Sequence, residues 1–103
     1  MAQPDNETRL DEAALAQFLA AGAWRREGNA ITRTFTLKGF KAAMAFANRV
    51  AEAATAADHH PDIHVERYKT VRIVLTTHMT GGISDADVEL ARRIDELDIG
   101  RSG

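Results

Sequence analysis

Cysteine is absent from this sequence. Disulfides, thiolate metal sites and a cysteine nucleophile are therefore excluded, and a reducing compartment is the natural setting. A long apolar run is missing too: nothing approaches the ~20 consecutive residues that cross a bilayer. The opening MAQPDNETRL carries neither the basic nor the apolar segment of a secretory signal. We expect a cytoplasmic protein with no membrane association. A dominant charge is lacking as well. The chain has 13 Lys and Arg against 15 Asp and Glu, a formal net charge of −2, and its basic residues are scattered. No basic field is available to hold a nucleic-acid backbone. Gly81-Gly82 lacks the partner residues of a phosphate-binding loop, and no Gly-x-Ser-x-Gly elbow occurs.

What remains is 103 residues, 45% apolar and 27% charged, enough for one folded domain with one modest core. Residues 1–9 are polar, contain Pro4 and read as a flexible arm; 10–97 form the domain; 98–103 read as a flexible tail. A first helix is expected from Asp11 to about Ala21, with Asp11 as N-cap, Leu10 stapled onto Leu15, and Gly22 as the stop. Trp24–Glu27 and Ala30–Phe35 flank the turn pair Gly28-Asn29 and predict a hairpin. Ile31, Phe35 and Leu37 share one face of its second strand, with Arg33 as an interruption. Phe40, Met44, Ala47, Ala51 and Ala54 then form a stripe at helical period over about 38–57. Pro61 disfavours helical geometry at His60, so this helix ends just before the histidines. Ile63 and Val65 alternate with His64 and Glu66, and Val71, Ile73 and Leu75 with Arg72, Val74 and Thr76, a second hairpin. Ser84 opens a last helix with Val88, Ala91 and Ile94 inward. The order α-β-β-α-β-β-α predicts an α+β, two-layer fold: a four-stranded antiparallel sheet with three helices on one face.

Three of the four histidines, His59, His60 and His64, lie in the stretch ADHHPDIH, residues 57–64, and the fourth is His78. Imidazole both gives and takes protons near neutrality. Zinc could draw on these four with Asp58 or Asp62, but their spacing matches no recognised ligand pair, and adjacent histidines diverge on extended backbone. We expect no metal. His64 reads as a solvent-facing strand residue. Asp87, three residues after Ser84, reads as the far member of a near-capping box. Proton transfer between converging histidines needs no cofactor, and none is expected.

His59-His60-Pro61, then Tyr68, His78 and Asp87, with six, nine and eight residues in between, resemble the signature of the pterin-4a-carbinolamine dehydratases. These are also called DCoH, after a second role as dimerisation cofactor of a homeodomain transcription factor. The resemblance runs from Leu10 to about Leu97 and includes Gly22-Ala23-Trp24, the Phe35-to-Phe40 passage and Thr76-Thr77-His78. It implies a DCoH-like fold and a hydro-lyase that dehydrates 4a-hydroxytetrahydropterin to quinonoid dihydropterin, recycling the cofactor of aromatic amino-acid hydroxylases. By the same resemblance His59, His60 and His78 are the acid–base residues. We assign proton exchange to His60 and His78, and positioning to His59. Asp58, Pro61, Thr76, Thr77, Met79 and Asp87 are expected to contact the substrate or orient the histidines. A homodimer or homotetramer is implied, with functional coupling to a hydroxylase. The alternatives are a non-catalytic regulatory or dimerisation module, or a homologue serving another pterin pathway such as molybdenum-cofactor metabolism. Three positions depart from the family pattern: Thr55 stands where a charged residue is frequent, Ile63 where an aromatic one is, and Ala86 where relatives have arginine.

Overall fold

In the computed structural model the described residues are 12–77 and 82–101. The elements are α1 (Glu12–Ala20), β1 (Arg25–Glu27), β2 (Ala30–Thr36), α2 (Phe40–Ala57), β3 (Asp62–Glu66), β4 (Thr70–Leu75) and α3 (Asp85–Arg101). The N-terminal arm and the Leu10 and Asp11 start signals lie outside the described residues. The tail expected from residue 98 is not wholly separate from the domain. Helix α3 runs on to Arg101, and Asp98 accepts a hydrogen bond from Arg33 at 3.3 Å.

All strand pairs are antiparallel, in the order β1-β2-β4-β3. The two hairpins thus join through β2 and β4, and β1 and β3 are the edges. Register follows the alternation: Ile31 faces Leu75, Arg33 faces Ile73, Phe35 faces Val71, and Ile63 faces Ile73 from the other side. Apart from Arg33, those odd-numbered residues supply the sheet half of the core. Ile31, Val71, Ile73 and Leu75 are wholly buried. Leu15, Phe46, Val50, Leu90 and Ile94 cover them from the helix layer. A row of rings, Phe18 to Trp24 to Phe35 to Phe46, spans the layers with centroids 4.8–6.4 Å apart. Among the described residues no helix is long and apolar enough to cross a membrane.

Two local expectations need correction. The inward stripe of α2 is Ala43, Phe46, Ala47, Val50 and Ala54; Phe40 and Met44 are exposed at 58% and 40%. Alanine is so frequent along this helix that it marks the face weakly. The large side chains that reach the sheet decide it, with the Phe46 ring 4.8 Å from that of Phe35. The interruption at Arg33 is not a flaw in the strand. Its guanidinium lies 4.3 Å over the Phe35 ring and donates to Asp95 at 2.6 Å, and Asp95 also accepts from Trp24 Nε1 at 2.8 Å. A half-buried cation is thereby paired twice over, against a carboxylate and a ring face.

Candidate active site

The end of α2 sets the position of the first histidine. Asp58 follows the helix in the left-handed conformation, φ 53° and ψ 42°. Its N–H donates to the Thr55 carbonyl at 3.1 Å, and the His59 N–H donates to the Ala54 carbonyl at 3.0 Å. This pair of bonds is a Schellman motif, usually built on glycine. It reverses the chain so that His59 turns back toward α3. Pro61 then commits the backbone to β3.

The start of α3 meets it. Asp87 is fully buried, and its Oδ1 lies 2.5 Å from His59 Nε2. Its Oδ2 accepts the Ser84 N–H at 2.9 Å and the Thr77 hydroxyl at 2.8 Å. A buried carboxylate needs such donors to replace water. It has three, drawn from the α2–β3 loop, the end of β4 and the N-terminus of α3. Thr77 is itself anchored, since it and Gly82 exchange backbone hydrogen bonds at 3.0 and 3.1 Å.

An acceptor-only carboxylate is satisfied by His59 when Nε2 carries the ring proton. We assign that tautomer. Nδ1 is then the ring's proton acceptor, and the His59 side chain keeps 16% exposure. Beside it opens a cavity of about 420 Å³, walled by Ala56 and Ala57 of α2 and by Ala86, Glu89, Leu90, Arg93 and Glu96 of α3. That volume lies within the range of small-molecule sites.

The other expected site residues divide. His60 is exposed beside His59, and Pro61 is half-buried. Thr76 points its hydroxyl elsewhere, to the Asn29 carbonyl at 2.6 Å, tying β4 to the first hairpin turn. His78 and Met79 lie outside the described residues. His64 is half-buried on β3 rather than open to solvent. Among the described residues no cluster of three His, Asp or Glu groups is arranged to hold a metal ion. At the three departures, Thr55 returns its hydroxyl to the Ala51 carbonyl, Ile63 packs against the core, and Ala86 lines the cavity. Sequence reasoning missed Ser84 as part of this site, and the α3 wall of the cavity with it. A capping-box pattern had accounted for Ser84 and Asp87 locally, 25 and 28 positions from His59.

The family model for pterin 4 alpha carbinolamine dehydratase matches residues 8–97. The chain belongs to the pterin-4-alpha-carbinolamine dehydratase family. A relative in Thermomicrobium roseum, named pterin-4-alpha-carbinolamine dehydratase, is 51% identical over 90 residues, covering 86% of this chain and 96% of its own. One in Nocardia farcinica with the same name is 51% identical over 74 residues, 72% of this chain and 77% of its own. Among solved structures, a transcriptional coactivator/pterin dehydratase from Brucella melitensis superposes with a TM-score of 0.77 at 33% identity, over 86% of this chain and 97% of that one. A pterin dehydratase-like protein identified as a RuBisCO assembly factor in the alpha-carboxysome reaches 0.61 at 24% identity, over 73% and 88%. It shares the fold. The pterin-4-alpha-carbinolamine dehydratase match spans every described element from α1 through most of α3.

Proposed function

We propose that this protein dehydrates a 4a-hydroxytetrahydropterin to the quinonoid dihydropterin and water, with His59 as the proton acceptor. The observation that carries the reading is the hydrogen bond between His59 Nε2 and buried Asp87. Loss of water from a carbinolamine breaks the C–O bond while a proton reaches the departing hydroxyl and another leaves the neighbouring ring nitrogen. His59, protonated at Nε2 against Asp87, offers Nδ1 to that second proton. The carboxylate then stabilises the imidazolium that forms, without itself taking the proton. This moves His59 from the positioning role expected of it into proton exchange, and leaves delivery of a proton to the hydroxyl to His60 or His78. Each transfer contributes about 10²–10⁴-fold, so the set needs no bound cofactor.

Asp58, Pro61, Thr76 and Met79 remain candidates for substrate contact. We further propose a homo-oligomer in the cytoplasm, serving a hydroxylase that generates the carbinolamine. The exposed Phe40 and Met44 of α2 and the edge strands β1 and β3 support self-association. Light scattering that returns a monomer mass would overturn that part.

The reaction is tested by generating 4a-hydroxytetrahydropterin with a hydroxylase and following its decay by absorbance. Acceleration over buffer is expected, with most of it lost in His59→Ala. A wild-type rate equal to that of buffer ends the enzyme reading.

A further inference from the structure

Two hydroxyls beside Asp87 do more than fill space. Thr77 Oγ1 lies 2.8 Å from Asp87 Oδ2 and 2.7 Å from Ser84 Oγ, and Ser84 is fully buried. Each hydroxyl has one proton to give. The carboxylate has none, so the Thr77 proton goes to Asp87. Thr77 then has only its lone pairs to offer Ser84, and the Ser84 proton goes to Thr77. The chain runs one way: Ser84 to Thr77 to Asp87, with His59 donating from the far side.

Helix capping does not account for this. In a capping box the serine hydroxyl accepts the N–H of the third helical residue. Here the Asp87 N–H goes to the Ser84 carbonyl at 3.1 Å, and the hydroxyl is turned away to Thr77. Only the reciprocal half of the box survives, the Ser84 N–H on Asp87 at 2.9 Å. The serine has been diverted from the helix to the carboxylate's other partner.

We propose that Thr77 and Ser84 are positioning residues that fix, through Asp87, which nitrogen of His59 carries the proton. Thr77 holds Oδ2 so that Oδ1 stays aimed at Nε2. Ser84 polarises and orients Thr77. Neither hydroxyl touches the reacting atoms, and no substitution at either site is expected to remove chemistry outright.

The test reads the His59 tautomer by nitrogen-15 NMR of the imidazole at alkaline pH, alongside the dehydration rate. Only the rate readout rests on the proposed function. Wild type is expected to show the Nε2–H form. Thr77→Val is expected to mix the tautomers and lower kcat about tenfold with KM little changed, the low end for loss of an outer orienting partner. Ser84→Ala should do the same to a smaller degree, and Thr77→Ser and Ser84→Thr should restore both readouts. Because Ser84 acts through Thr77, adding Ser84→Ala to Thr77→Val should change the rate by less than about twofold. Full additivity, or a wild-type tautomer in folded Thr77→Val and Ser84→Ala, overturns the relay. Should Thr77→Val fail to fold, Ser84→Ala in wild type and in Thr77→Ser decides the matter. An Nε2–H tautomer in a wild type without dehydratase activity leaves the relay standing and ends the functional reading. An Nδ1–H tautomer ends the relay whatever the rate.

Discussion

Asp87 and Asp95 sit two turns apart on α3, and both are reached by donors from outside the helix, yet they do different work. Asp95 faces Arg33 and the indole of Trp24 and keeps 25% exposure; Asp87 faces His59, Thr77 and a backbone amide and has none. A guanidinium stays charged at any pH a protein survives, so the Asp95 cluster is a fixed clamp. An imidazole changes its charge near neutrality, so the Asp87 cluster can take part in proton transfer. The partner, more than the carboxylate, separates structure from chemistry.

The sharpest way to break this contrast is Asp87→Asn. An amide of the same shape can present a donor to Nε2, which favours the opposite tautomer of His59. We expect dehydration to slow at least about 10²-fold, with the folded state retained. A rate within a factor of a few of wild type would place Asp87 with Asp95, as a structural group.

Asp95→Ala should show the reverse profile. It leaves the Trp24 indole N–H without its acceptor and the half-buried Arg33 guanidinium with only its longer bond to Asp98, at a cost of ~2 kcal/mol. For a domain of this size the melting temperature should fall by about 10 °C. Activity well below the new transition should stay within about twofold of wild type. Loss of activity in the cold, folded protein would show that the clamp also shapes the site.

The same contrast explains what could be read from the chain. Strand alternation identified Val71, Ile73 and Leu75 as one face, because burial on one side of a sheet forces period two. Pro61 marked the end of α2 within a few residues, because its ring restricts the residue before it. The function of Asp87 was not legible in the same way. Ser84 and Asp87 satisfy a local pattern that is complete without any distant partner. The meeting of the Asp87 carboxylate with His59 depends on the left-handed Asp58 at the far end of α2, and no short-range rule predicts it. Arg33 was visible only as a break in a pattern, because its two acceptors lie more than 60 positions away on α3.

Asp58 offers a smaller test, between conformation and contact. At φ 53° it occupies a region where aspartate is tolerated and glycine is unstrained. If its service to the site is to turn the chain, Asp58→Gly should keep the dehydration rate and leave stability unchanged or raised by up to ~1 kcal/mol, read by thermal melting. Asp58→Ala should be the less stable of the two. A rate lost in Asp58→Gly would instead show that the carboxylate meets the substrate.

The smallest effect belongs to an ion pair outside both clusters. Glu66 and Arg72 pair across the β3–β4 hairpin at 3.2 Å, on exposed side chains. The hydrogen bond from Arg72 holds the Glu66 carboxyl below its usual value of 4.5. A carboxyl group lowered in the folded state binds fewer protons there than in the unfolded chain. Its contribution to stability is therefore present above the unfolded value and fades as pH falls through the lower, folded one. Glu66→Gln should flatten the acid side of the stability–pH curve slightly and leave neutral activity untouched. Added salt should shrink the difference between the two proteins, because an exposed pair is screened. A Glu66→Gln effect on dehydration as large as that of Asp87→Asn would mean that this hairpin, and not the α2–α3 junction, carries the chemistry.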